Sequence, residues 1–284
     1  MEKWPNFFIV GAPKSGTTSL YEYLKQIPEF FFPSIKEPNF FSVNLNQELL
    51  LTKPIRQKEK YLSLYQNARN EKFLGDASPT YLWDPDAARL ISEKSPNAKI
   101  IILLRNPVSR AFSHYLFLVS FGAEILDFEA AIKNSLSFKD DYRGRIIEGG
   151  RYEKQIKNYL KFFKRDQIHF IIFEEFITNT EDSLRDTLKF LDIDYDLEKI
   201  NFAKSFNEFS VPRNELSLTI MQNDFLRKLV KNFVPGDYHP HLQKIFDKSA
   251  EKPIMKENLK KELRELYRDD ISYVEKLLER NLPW

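Results

Sequence analysis

A lysine inside a short loop bounded by glycines is the first residue of this chain placed to do chemistry. The segment Gly11-Ala12-Pro13-Lys14-Ser15-Gly16-Thr17-Thr18-Ser19-Leu20 follows the apolar run Phe7–Val10 and opens a helical period over 15–26. A strand, a glycine-bounded loop and a helix N-terminus make an anion cradle, because backbone N–H groups and the helix dipole converge there. The spacing Gly11-x4-Gly16 is that of an NTPase phosphate loop. Thr17 stands where the NTPase lysine belongs, however, and the lysine has moved inside the loop as Lys14. That shift directs its ammonium to the bridging oxygen of a 5′-phosphate group instead of along a triphosphate tail.

A second cluster follows the apolar run Lys99–Leu104: Arg105-Asn106-Pro107-Val108-Ser109-Arg110-Ala111-Phe112-Ser113. In an NTPase a strand near this point ends in an acid that holds magnesium. Here it ends in Arg105. Pro107 opens a helix, and Ser113 lies eight residues past Arg105, about two helical turns along. A guanidinium fork and a hydroxyl together suit a terminal phosphate that needs no metal.

These loops need a scaffold. Phe7–Val10, Lys72–Leu74, Lys99–Leu104 and Ile168–Phe173 are apolar on both faces, as the strands of a central parallel sheet are, with a short Phe30–Phe32 strand beside them. Helices are predicted at Ala87–Glu93 behind the cap Asp84-Pro85, at Phe128–Asn134 behind Asp127, and at Glu181–Leu191 behind Thr180. Two more are predicted at Glu215–Lys231 and Lys256–Arg280. The fold class is therefore α/β: a single P-loop-type domain over 1–284, with a parallel sheet flanked by helices and a helical C-terminal third. The nucleotide-binding core spans about 5–192 and the helical part about 193–284.

Composition narrows the class. Lys and Arg number 43 against 41 Asp and Glu, a net charge of +2, too balanced for binding nucleic acid through bulk charge. Cysteine is absent, which excludes disulfides, thiolate metal sites and a cysteine nucleophile. No stretch reaches the roughly 18 apolar residues of a membrane helix, and the N-terminal apolar run is shorter than a secretory core of about 7–15. A soluble, cytoplasmic location with no membrane span is expected. His239-Pro240-His241 has no third ligand nearby in sequence, so it reads as a polar turn, and no metal site is expected.

These residues resemble a known family. Pro13–Leu20 (PKSGTTSL) is similar to the 5′-phosphosulfate loop of sulfotransferases that use PAPS (3′-phosphoadenosine 5′-phosphosulfate), and Ile101–Tyr115 (IILLRNPVSRAFSHY) resembles their 3′-phosphate segment. Lys36-Glu37-Pro38-Asn39-Phe40-Phe41 and Gly149-Gly150-Arg151-Tyr152 resemble the branch that holds heparan-sulfate and bacterial sulfotransferases. The likeness runs from about Phe7 to Leu191.

The resemblance implies a five-stranded parallel sheet and transfer of a sulfonate from PAPS, without metal, to a hydroxyl or amine. The acceptor is unidentified: a sugar, a lipid or a small metabolite. Lys14 would offset charge on the departing 5′-phosphate, which the amides of Ser15, Gly16, Thr17 and Thr18, the threonine hydroxyls and Ser19 would hold. Arg105 and Ser113 would hold the 3′-phosphate. Arg213, with Lys204 as second choice, would close on it from a later loop. Glu37 matches the general base of the glycosaminoglycan enzymes, and Pro38 keeps it out of helical geometry. His114 is the rival base, since cytosolic members use a histidine.

One departure stands out: Ala77 replaces the lysine that glycosaminoglycan enzymes carry just before Ser-Pro, which sets this chain apart from a heparan-type acceptor. Arg143, Arg145 and Arg151 form a basic cluster that is either acceptor-facing or simply solvated. Phe40, Phe41, Tyr81 and Trp83 are candidate linings of an acceptor pocket. The competing readings are a P-loop kinase or NTPase, and a PAPS-fold binding protein without activity.

Overall fold

The computed structural model describes residues 2–44, 54–120, 127–135, 144–202, 211–212, 247–248 and 254–284. Five strands pair in parallel in the order β2-β3-β1-β4-β5, with β1 Phe7–Gly11, β2 Phe30–Phe31, β3 Phe73–Ala77, β4 Lys99–Leu104 and β5 Ile168–Ile172. Alternate side chains build the two faces. Phe8 and Val10 join Ile100, Ile102, Leu104 and Ile168 on one side, while Phe7 and Ile9 join Ile101, Leu103 and Ile171 on the other. Burial on both faces is why these runs lack the polar alternation of a half-exposed strand.

The strand order decides where the site lies. From β1 the chain builds β2 and β3 to one side, then crosses to β4 and β5 on the other. A crevice opens at that reversal, outside the carboxyl ends of the strands. Three segments reach it: the loop after β1, the turn after β4, and the end of β3.

The helices are α1 Thr17–Leu24, α2 Lys58–Ser63, α3 Ala87–Lys94, α4 Pro107–Ser120, α5 Phe128–Ser135, α6 Arg145–Glu148, α7 Tyr152–Leu160, α8 Phe173–Thr178 and α9 Thr180–Phe190. A third apolar cluster joins α4, α5 and α6 to the later helix α10 Glu257–Leu266. Val211–Pro212 and Asp247–Lys248 pair as a small antiparallel ladder. Glu215–Lys231 lies outside the described residues.

Several expected boundaries change for identifiable reasons. The helix predicted over Lys256–Arg280 is two, α10 and α11 Arg268–Leu278, broken at Tyr267. Tyr267 is fully buried, and its hydroxyl donates to the Ile147 carbonyl at 2.9 Å, so tertiary contact sets the break. Asp84 does not cap α3; its carboxylate accepts the amides of Asn44 (2.7 Å) and Asp86 (2.9 Å). Thr180 is the first residue of α9, not its cap, and its hydroxyl donates back to the Phe176 carbonyl. Asp127 does cap α5, accepting from the Ala130 amide at 2.9 Å.

Candidate active site

The loop after β1 turns twice through left-handed backbone, at Lys14 (φ 70°) and at Gly16 (φ 85°). At Gly16 a side chain is excluded twice over: the φ disfavours it, and a Cβ would lie 2.9 Å from the Phe173 ring. Lys14 pays the left-handed cost, about 1–2 kcal/mol, and its carbonyl accepts a hydrogen bond from Arg105 Nη1 at 3.0 Å. The first amides of α1 have no side-chain cap, which leaves them directed into the crevice as a helix N-terminus.

Arg105 is set by what lies around it. Its backbone N–H donates to Tyr152 Oη (3.3 Å), its carbonyl accepts from the same hydroxyl (2.7 Å), and its guanidinium lies 4.5 Å over the Phe173 ring. The next amide, Asn106 N–H, donates to Glu174 Oε1 at 3.0 Å, and Asn106 Oδ1 accepts the amides of Val108 and Ser109 to cap α4. Burial and Arg110 both lower the Arg105 pKa, while Glu174 opposes them. Ser113, half-buried, sits two turns along α4.

Two donors at this junction lack partners among the described residues: the fully buried Ser15 Oγ and the buried Arg105 Nε. Buried polar atoms are nearly always satisfied, so a pair of orphan donors flanking a lysine marks a place for an anion. The donor set fits an anionic ligand. Lys14 completes it. Burial pushes its ammonium down to about 8, with Arg105 adding to the fall and Glu37 pulling the other way. Its Nζ rests 4.2 Å from the centre of the Phe117 ring.

Glu37 reaches the same cleft from the loop after β2. It has left-handed backbone (φ 59°), as does Asn39 (φ 51°), and its carboxylate meets Lys36 Nζ at 2.7 Å. Asn39 is buried and held on several sides. Its N–H donates to Ser78 Oγ (3.2 Å), its Oδ1 accepts from Thr80 Oγ1 (2.7 Å), and its carbonyl accepts from Arg56 Nη1 (3.1 Å).

His114, the rival base, is fully buried, with its ring 5.5 Å from Trp83 and 6.3 Å from Phe117. The pocket expected from Phe40, Phe41, Tyr81 and Trp83 is corrected: Phe41, Tyr81 and Trp83 are core residues, and Phe40 stacks on Tyr61 at 4.2 Å. Clustering with Trp4 and Tyr61 removes more apolar area from water than lining a cleft would. Arg151 donates to the Leu266 carbonyl and to Asp270, so it ties the start of α7 to the end of α10 and the first turn of α11. Lys204, Arg213, Arg143, His239 and His241 lie outside the described residues.

Asp76, Phe117, Phe173 and Glu174 were not singled out by the sequence. An acid at the carboxyl end of a buried strand was a readable signal for Asp76. The ring under Lys14 and the carboxylate behind Asn106 carry no sequence signal, because both partners are distant in the chain.

A parallel sheet with an anion cradle at its switch point and no acid at the end of β4 defines a phosphate-binding class distinct from magnesium-dependent NTPases. The sulfotransferase domain family matches residues 5–228, and the chain belongs to that family. It is similar to human carbohydrate sulfotransferase 15, 25% identical over 245 residues that cover 66% of this chain and 44% of that protein. It also resembles the membrane-associated sulfotransferase kil1 of Dictyostelium discoideum, 36% identical over 113 residues, covering 40% of this chain and 23% of that one. The chain spans less than half the length of both curated relatives. A crystal structure of a sulfotransferase from Alicyclobacillus acidocaldarius superposes with a TM-score of 0.74 at 30% identity, covering 99% of this chain and 98% of that one.

These relatives overturn the cytoplasmic location expected from sequence, since one of them is membrane-associated by name. Among the described residues no helix is long and apolar enough to cross a membrane. That observation does not carry a compartment, because neither the fold nor the transfer site encodes an address.

Proposed function

We propose that this chain transfers a sulfonate group from PAPS to a hydroxyl or amine of an acceptor by in-line displacement. The observation that carries the reading is the pair of orphan buried donors beside Lys14, Ser15 Oγ and the Nε of Arg105, whose Nη1 donates to the Lys14 carbonyl. Family membership supports it, since the family uses PAPS as its sulfonate donor. The domain is taken as 1–284, with the nucleotide core over about 5–192.

The amides of Ser15 to Thr18, the Ser15, Thr17 and Thr18 hydroxyls and Ser19 hold the 5′-phosphate. Arg105 and Ser113 hold the 3′-phosphate, and Arg213 is the candidate to close over it. Bound PAPS supplies the sulfonate: its sulfur-to-bridging-oxygen bond breaks as the acceptor oxygen bonds to sulfur. Glu37 takes the acceptor proton, and the Lys14 ammonium offsets the charge that grows on the departing oxygen. The acceptor read most directly from the relatives is a carbohydrate, after the name of carbohydrate sulfotransferase 15. Ala77 is buried and offers no cation beside Ser78, so the reading stops short of heparan sulfate.

Adenosine 3′,5′-bisphosphate is expected to bind in chelator about ten to a hundred times more tightly than 5′-AMP, the worth of charge-assisted bonds to one phosphate. Titration calorimetry checks this. Equal affinities would remove the 3′-phosphate role from Arg105 and Ser113.

A second measurement uses the depressed Lys14 pKa. Phosphate beside the ammonium raises that pKa again, so binding of the bisphosphate just above pH 8 takes up a fraction of a proton. Calorimetry in buffers of different ionisation enthalpy reads the uptake, and Lys14→Ala abolishes it.

A further inference from the structure

Beneath the Glu37 loop lies a carboxylate that the proposed reaction leaves unused. Asp76, near the end of β3, is fully buried. Its Oδ2 accepts from Tyr61 Oη (2.7 Å) and Tyr81 Oη (2.8 Å), and its Oδ1 accepts from Ser78 Oγ (2.7 Å). An ionised carboxylate can only accept, so each hydroxyl commits its single proton to Asp76. Ser78 and Tyr81 are then left with lone pairs, and both meet backbone amides of the Glu37 loop. Asn39 N–H reaches Ser78 Oγ at 3.2 Å and Phe41 N–H reaches Tyr81 Oη at 3.4 Å.

We propose that Asp76 is a positioning residue for Glu37. By fixing the direction of the Ser78 and Tyr81 hydroxyls it holds the amides at 39 and 41, and so keeps the left-handed turn through Glu37 at the rim of the cleft. The inference rests on Glu37 as the base. An amide at 76 keeps one acceptor oxygen and puts an N–H donor in place of the other, so either Ser78 or the tyrosine pair loses its acceptor. The hydroxyl that loses its acceptor would turn its proton toward its loop amide, donor against donor, and that half of the anchor would fail.

Ionisation of this carboxylate works against the fold. Burial pushes its pKa up to about 6, Glu37 adds to the rise, and the three hydroxyls only partly offset it. The other titratable groups facing it, Tyr61, Tyr65, Tyr81 and Tyr159, are all pushed well above their ordinary value and stay neutral. A carboxyl whose folded pKa is raised stabilises the fold below its unfolded pKa, and that stabilisation is lost as pH rises through about 6. Near neutral pH the ionised Asp76 is therefore less favourable to the fold than its protonated form.

The test compares Asp76→Asn, Ser78→Ala and Glu37→Gln. Turnover is read as bisphosphate release from PAPS, with chondroitin, desulfated heparan and 4-nitrophenol as acceptor probes. Amide hydrogen exchange over 36–42 is read in parallel. Both anchor variants are expected to lose about tenfold or more in kcat, as a displaced catalytic group does. Their bisphosphate affinity should stay within about twofold of the parent. Exchange over 36–42 rises about tenfold or more while that over 7–24 is unchanged.

Normal kcat in the anchor variants, a kcat loss matched by lost bisphosphate affinity, or unchanged exchange over 36–42 would each overturn the proposal. If Asp76→Asn does not fold, Ser78→Ala decides it alone. Collapse of Glu37→Gln beside normal anchor variants sinks only the positioning role. A fully active Glu37→Gln sinks the base assignment and the inference together.

Discussion

Glu37→Gln is expected to abolish most sulfonate transfer, by about a hundredfold to ten-thousandfold in kcat, while leaving nucleotide affinity intact. The substitution keeps the shape and removes the proton acceptor. It leaves the backbone untouched, because Glu37 is already a non-glycine residue at φ 59° and the turn is pinned through Asn39, not through the carboxylate. The Lys36 partner does not hold the turn either: the two side chains are 26% and 29% exposed, and such pairs are worth about 0–1 kcal/mol. His114→Ala serves as the control. That ring is fully buried between Trp83 and Phe117, so its removal acts through packing, seen in melting temperature before turnover. The reverse order of damage, measured side by side on one acceptor, would move the base to His114.

Lys14→Ala is expected to lower kcat by about a hundredfold to a thousandfold, the usual cost of removing a group that stabilises charge in the transition state. Nucleotide affinity should fall far less. In the free protein the ammonium is already disfavoured by burial and by Arg105, so deleting it relieves repulsion as it removes attraction. In the transition state the departing oxygen carries its largest charge and the balance changes, which is where Lys14 counts. The variant should melt no lower than the parent, because a desolvated charge is lost and the left-handed φ of 70° suits alanine no worse than lysine. Normal kcat with only a raised KM for PAPS would reduce Lys14 to a binding residue.

Local features of this chain were readable without coordinates. The doubly apolar runs gave β1 and β4 almost to the residue, because a strand buried on both faces has to be written that way. The loop Gly11–Thr18 and the Arg105–Ser113 segment were legible for a related reason: phosphate binding draws on contiguous backbone and one helix start, so its requirements lie side by side in sequence. Asp127 as the cap of α5 belongs to the same local class.

What tertiary structure decided involves partners far apart in the chain. The break at Tyr267 follows from a hydroxyl that reaches Ile147, and no helical period records that contact. Asp84 accepts the amide of Asn44, 40 residues upstream, together with the Asp86 amide, and the helix starts only at Ala87. Phe41, Tyr81 and Trp83 went to the core and not to a pocket, since residue type alone does not say which surface an aromatic ring will cover. The placement of Glu37 was settled the same way. Its motif named a carboxylate, but its aim depends on Asn39, Ser78, Tyr81 and Asp76, brought together only when β3 lies down beside β1. Hydrogen-bond direction in a buried cluster is a property of the whole set of donors and acceptors, and that set exists only in the folded chain.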